Sequence, residues 1–136
     1  MSPCSAPRAI VLFFSLTGEA MHVVRLNDAP RYEAPGHNDM RMFRLQGRDA
    51  GPGDVMWLGM SQILPGGGIT PSASPEEKFY VVLEGEVTFE TPDGIATLGI
   101  WDSCRIAPNE TRALRNETKR PAVVLLAMPL PNTARG

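Results

Sequence analysis

The sequence contains little cysteine, no long apolar run and no sustained helical periodicity. Its two cysteines, Cys4 and Cys104, are too few for a disulfide framework, so we expect a reducing, cytoplasmic setting. The longest apolar run, Ala9–Leu16, is shorter than the roughly 20 residues of a membrane-spanning helix. The formal net charge is −2 and no basic stripe is present, which argues against nucleic acid or a membrane as a partner.

Common catalytic signatures are also missing, and what remains is typical of an all-β domain. There is no phosphate-binding loop, dinucleotide fingerprint or nucleophile elbow. Glycine and proline number 13 each in 136 residues, which favours short strands joined by turns within one domain. The predicted strands are Met40–Leu45, Val55–Leu64, Phe79–Leu83, Glu86–Thr91, Ile95–Leu98, Ser103–Ala107, Arg112–Asn116 and Ala122–Met128.

Residues 1–20 and 21–136 differ in character. We expect residues 1–20 to be an apolar N-terminal extension and residues 21–136 to be the barrel domain. Met21–Leu26 has the pattern of an opening strand, and Met21 is an alternative natural start. Pro65–Gly68 and Asp93-Gly94 have turn composition. In the predicted strand Glu86–Thr91, Val87 and Phe89 alternate with polar residues. Val87 and Phe89 should face the core, and the polar residues should face outward.

One stretch has the spacing of a known motif. Gly66 is followed by five residues, then by Ser72-Ala73-Ser74, and Lys78 comes after three more. Six residues then separate Lys78 from Gly85. This resembles the first cupin motif, in which a glycine precedes His-x-His, a glutamate and a second glycine at these intervals. A weaker counterpart of the second cupin motif covers Trp101–Asn116, where Asp102 and Asn116 fit, Pro108 lies beside the expected proline, and Trp101, Ala107, Asn109 and Arg112 depart.

The resemblance to the cupin superfamily implies a single-domain jelly-roll β-barrel, and it implies a homodimer. Metal-bearing cupins use the two histidines and the glutamate of the first motif and a histidine of the second. In this sequence those four places hold Ser72, Ser74, Lys78 and Arg112. Hydroxyl groups are poor ligands, and two cations repel a divalent ion, so we expect no metal cofactor.

The same four residues suit an anion. Arginine offers a bidentate fork and lysine a point charge, so we predict that a small organic anion, such as a carboxylate, binds at the barrel mouth. Trp57, Met60 and Tyr80 are candidates for an apolar wall around its organic part. If the strand register slipped by one residue, Glu77 would face the barrel mouth in place of Lys78.

Three alternatives stay open. An enzyme of small-molecule catabolism (isomerase, decarboxylase, lyase or dioxygenase type) would use Lys78 as its base and Tyr80 as an acid. A non-standard metal site would use Glu77 and His37. A non-catalytic structural or regulatory dimer would need no site, and Lys78 would then pair with Glu76 or Glu77 on the rim. His22 and Cys104 are interpreted as structural.

Overall fold

The structure, a computed structural model, describes residues 21–131, which form nine strands and two short 3₁₀ helices. The helices are Leu26–Asp28 and Arg48–Ala50. The strands are β1 Arg31–Tyr32, β2 His37–Gln46, β3 Met56–Ser72, β4 Lys78–Glu84, β5 Val87–Thr91, β6 Gly94–Leu98, β7 Ser103–Ile106, β8 Arg112–Arg115 and β9 Ala122–Pro129.

All strand pairs are antiparallel, and they form one sheet that curls into a nearly closed barrel. The strand order is β6-β5-β8-β3-β9-β4-β7, and β2 lies along β3 with β1 on its other side. No pairing joins β6 to β7 within residues 21–131. The predicted all-β barrel is therefore confirmed.

The long strand β3 belongs to both halves of the barrel. Its first half pairs with β9, from Met56 to Ile63, and its second half pairs with β8, from Gly68 to Ser72. The segment Pro65–Gly68, predicted as a turn, is the bend between these halves. The bend requires glycine because a Cβ on Gly68 would lie 2.1 Å from the carbonyl oxygen of Leu114.

Because side chains alternate between the two faces of each strand, apolar side chains from the strands fill the barrel interior. Val87 and Phe89 face inward as predicted. Thr88 was expected on the outside, yet it is buried, and its hydroxyl lies 3.1 Å from that of Thr97. The buried core consists of Ile63, Ile69, Tyr80, Val82, Val87, Phe89, Ile106, Leu114, Ala122 and Val124.

The N-terminal part differs most from the prediction. Residues 21–25 form no strand, and the first helical turn follows at Leu26. The predicted strand Met40–Leu45 is part of the longer β2, and β1 was not predicted. The predicted extension, residues 1–20, lies outside the described residues. Across residues 21–131, no helix is long and apolar enough to cross a membrane.

Candidate functional site

The polar end of the barrel interior is formed where three strands begin or end. Lys78 begins β4, Arg112 begins β8, and Ser72 ends β3. Ser72 and Arg112 are register partners, which brings the two strand ends together. We call Ser72, Ser74, Lys78, Tyr80 and Arg112 the mouth cluster. The structure thus brings together the four residues at the motif positions and Tyr80, the second predicted catalytic candidate.

Lys78 points into the barrel because it alternates with exposed Phe79 and shares its face with buried Tyr80 and Val82. Only 4% of Lys78 is exposed. Its Nζ donates to Ser74 Oγ at 2.6 Å and to the carbonyl oxygen of Glu76 at 3.4 Å. An ammonium group has three N–H donors, so one donor is left for another acceptor.

Arg112 lies on the facing wall and is 6% exposed. Its Nε donates to the Tyr80 hydroxyl at 3.1 Å, and its Nη1 donates to Ser72 Oγ at 2.7 Å. Nη2 has no hydrogen-bond partner among residues 21–131. Tyr80 reaches across the interior to meet this guanidinium and packs its ring 5.2 Å from that of Phe89. Arg112 is therefore fixed in place with part of its fork unused.

The electrostatics of the mouth cluster are those of two cations sharing a dry environment. Burial, followed by the positive charge of Arg112, lowers the pKa of Lys78 below its usual range. Burial raises the pKa of Tyr80, so its hydroxyl stays protonated near neutral pH. Four ion pairs occur within residues 21–131, and none involves Lys78 or Arg112. Neither buried cation forms an ion pair within the described residues, although the charge of Glu76 partly opposes the lowering of the Lys78 pKa.

His37 lies on the Arg112 side of the mouth. It begins β2 opposite Ile69 of β3, and its Nδ1 lies 2.9 Å from the carbonyl oxygen of Pro35. Burial and the charge of Arg112 both lower the pKa of His37. The imidazole is therefore neutral at neutral pH and adds no third full charge.

A third cation, Arg44, enters the same interior from β2. Arg44, Gly59, Leu126 and Tyr80 form one register row across β2, β3, β9 and β4. The guanidinium carbon of Arg44 lies 3.8 Å from the Tyr32 ring centre and 4.5 Å from that of Trp57. We call Tyr32, Arg44 and Trp57 the aromatic corner. Sequence reasoning found only Trp57; the inward alternation of Met42 and Arg44 was the available signal for the rest.

Comparison with known proteins gives both a relative and a fold. No protein-family profile matches the chain. It is 43% identical over 112 residues to "Beta-D-galactosidase Rv1717" of Mycobacterium tuberculosis, across 82% of this chain and 96% of that protein. The polyketide cyclase RemF of Streptomyces resistomycificus superposes with a TM-score of 0.71 at 21% identity, covering 80% of this chain and 79% of that one. An RmlC-like cupin of Shewanella frigidimarina gives 0.67 at 13% identity, covering 85% and 96%.

The chain has the cupin fold and belongs to the same family as Rv1717. The likeness to the solved cupins concerns the fold alone. The chain covers nearly the whole length of Rv1717.

The donor set at the cupin metal position does not fit a metal ion. An ammonium, a guanidinium and two hydroxyls replace the imidazoles and carboxylate that divalent ions require. Within residues 21–131, no group of three histidine, cysteine or acidic side chains converges.

Two predicted site residues of this cupin lie elsewhere. Glu77 alternates with Lys78 and forms an ion pair with Arg105, so the register slip does not occur. Glu77 therefore does not join His37 in the mouth. Met60 lies on the outer face of β3, because it alternates with buried Gly59 and Ser61. It therefore does not line the interior.

Two further motif residues have structural roles. Asn116, which fits the second cupin motif, is buried and donates to the carbonyl oxygens of Ile63 and Arg120 at 2.9 and 2.7 Å. Cys104 pairs with Tyr80 across β7 and β4. Burial, with a smaller effect of Glu110, raises the pKa of Cys104 to about 11, so it is a thiol at neutral pH.

Proposed function

We propose that this cupin binds a small organic anion at the mouth cluster without a metal ion. Lys78 and Arg112 carry the proposal, because both are buried, the charge of Arg112 acts on Lys78, and neither forms an ion pair among residues 21–131. An unpaired buried ion costs on the order of several kcal/mol. An anionic ligand would offset that cost for both cations at once.

The unused donors indicate how the ligand would be held. Arg112 presents Nη2, and Lys78 presents its third N–H, while their other donors are fixed by Ser72, Ser74 and Tyr80. Ser72 is exposed, so the ligand reaches Arg112 from that side. A carboxylate has two oxygens and can accept from both cations.

The first test is calorimetric titration of acetate and propionate into protein treated with a chelator. We expect saturable binding in wild-type protein and none in the variant Lys78→Met/Arg112→Met. A variant with Lys119→Met, in the loop before β9, is the matched control and should bind as wild type does. Equal heats in wild type and the double variant would contradict the proposal.

Anion binding should weaken as the pH rises. The ligand needs protonated Lys78, whose pKa is lowered by burial and by Arg112, so affinity falls as pH passes through that lowered value. The stability of the ligand-free protein should change in the opposite direction. Because Lys78 has a higher pKa in the unfolded chain than in the folded one, its contribution to the free energy of unfolding increases as pH rises toward 10.5. Burial lowers the pKa of His37 below 6.5 and raises the pKa of Tyr80 above 10.0.

The measurement is the dissociation constant of propionate from about pH 7 to about pH 10. Wild-type protein should lose affinity across the range, and Lys78→Met should show a weak, flat profile. A wild-type profile as flat as that of the variant would show that Lys78 does not hold the ligand.

A second candidate function is catalysis on a sugar, favoured by the name of the 43% identical relative, a beta-D-galactosidase. The mouth groups able to transfer a proton are Lys78, with its lowered pKa, and the Tyr80 hydroxyl. The test is release of nitrophenol from nitrophenyl β-D-galactoside. Turnover that is lost in Lys78→Met and Tyr80→Phe supports this candidate, and absence of turnover in wild type removes it. The structural or regulatory homodimer stays a prediction from the sequence.

A further inference from the structure

The aromatic corner holds a cation in a preformed position. The rings of Tyr32 and Trp57 meet edge to face at 87°, with centres 5.8 Å apart, and Arg44 lies over both. The Arg44 Nε donates to Asp49 Oδ1 at 3.1 Å, which fixes the far side of the guanidinium. Stacking and one ion pair thus orient Arg44 at little further entropic cost to a ligand.

This corner has donors and no matching acceptors. Arg44 uses only Nε, and its Nη1 and Nη2 groups have no hydrogen-bond partner within residues 21–131. Trp57 is 4% exposed, and its Nε1 is a buried donor that has no acceptor among residues 21–131. An unpaired buried N–H costs on the order of 1–3 kcal/mol. Two neighbouring groups of unused donors indicate a ligand oxygen.

The corner and the mouth cluster face each other across one interior. Arg44 and Tyr80 are three strand spacings apart in one row, or about 14 Å between backbones, and both side chains point inward. Tyr80 in turn contacts Arg112. A ligand with an acidic group at each end would therefore be needed to reach both guanidinium groups.

We propose that the ligand is a small dianion that places one acidic group on Lys78 and Arg112 and the other on Arg44 and Trp57. The inference rests on the proposed function, because it takes the mouth cluster as the first anchor. It assigns Arg44 as the residue that selects dianions over monoanions of equal length. Dicarboxylates of the length of succinate or glutarate are the class expected to fit.

The test compares succinate with succinamate, which has the same chain length and one charge fewer. In wild-type protein, calorimetry should show succinate binding at least about tenfold more tightly, since a charged hydrogen-bonded contact is worth about 1.5–3 kcal/mol. In Arg44→Met this preference should disappear, because succinate should lose much more affinity than succinamate does. Arg41→Met, on the exposed face of β2, is the control and should keep the preference.

Two conservative variants separate ligand selection from a structural role. Arg44→Lys keeps the charge and should retain part of the preference, and Trp57→Phe keeps the ring but removes Nε1 and should reduce the preference. Equal wild-type affinities for both ligands, with Arg112→Met still abolishing binding, would overturn this inference and leave the proposed function standing. An equal loss of both ligands in Arg44→Met would also overturn it. Failure of wild type to bind either ligand would contradict both proposals.

Discussion

Replacing Arg112 with methionine should weaken binding of a carboxylate by about a hundredfold or more while the barrel remains folded. The variant removes the bidentate donor and leaves Lys78 as the only full charge in the mouth cluster. Truncating one side of a buried charged contact costs about 2–5 kcal/mol, and about 1.4 kcal/mol corresponds to a tenfold change in affinity. Methionine fills much of the same space, which limits the effect on packing.

Arg115 provides the matched control for Arg112 on the same strand. It lies at the other end of β8 and forms ion pairs with Glu90 and Glu117 on the surface. Arg115→Met removes the same charge and should leave the dissociation constant of propionate unchanged. The measurements are calorimetry for binding and thermal unfolding for integrity. Similar binding losses in both variants would mean that net charge, rather than the mouth cluster, attracts the anion.

Replacing Gly68 with alanine should destabilise the protein more than any other single methyl group added to the β3 bend. The new Cβ would lie 2.1 Å from the Leu114 carbonyl oxygen and 3.0 Å from the Arg115 Cα, both backbone atoms of β8. Relief requires the two strands to separate, which disturbs the pairing that places Arg112 opposite Ser72. Overpacking of this kind costs about 1–3 kcal/mol, and a rigid backbone contact belongs at the upper end.

The variant Gly66→Ala is the control that distinguishes the effect of this close contact from that of backbone strain. Gly66 has φ of +82°, and a Cβ there would meet nothing within 4 Å, so Gly66→Ala costs only the left-handed conformation, about 1–2 kcal/mol. Urea unfolding of both variants should show a lower midpoint for Gly68→Ala, and failure to obtain folded protein is the extreme form of that result. Equal midpoints would show that β3 and β8 adjust freely at the bend.

Local patterns predicted most strands, and motif spacing predicted which residues meet at the mouth. Lys78 and Arg112 are 34 positions apart, and no local pattern joins them; the cupin spacing supplied that link. Met60 could have been assigned correctly from strand alternation alone, because it lies three positions after inward-facing Trp57, and an odd offset places it on the opposite face. Thr88 was placed outside by its polarity, although its hydroxyl finds partners in the buried position.

Local sequence does not show that the residues of the aromatic corner meet, although alternation within the predicted strand Met40–Leu45 could have placed Arg44 on the inner face. Tyr32 lies in a segment rich in glycine, proline and aspartate, which indicates a loop. The positions of Tyr32 and Arg44 depend on β2 following β3 along its length, a pairing between residues far apart in sequence. The opening segment Met21–Leu26 shows the opposite case, since its strand-like pattern finds no partner strand within residues 21–131.

The most direct test of the account is titration of succinate into chelator-treated protein, followed by the same titration after a divalent transition metal is added. We predict one ligand bound per chain in the first titration and no gain in affinity in the second, because Lys78 and Arg112 supply the positive charge. Binding that appears only after the metal is added would contradict the account.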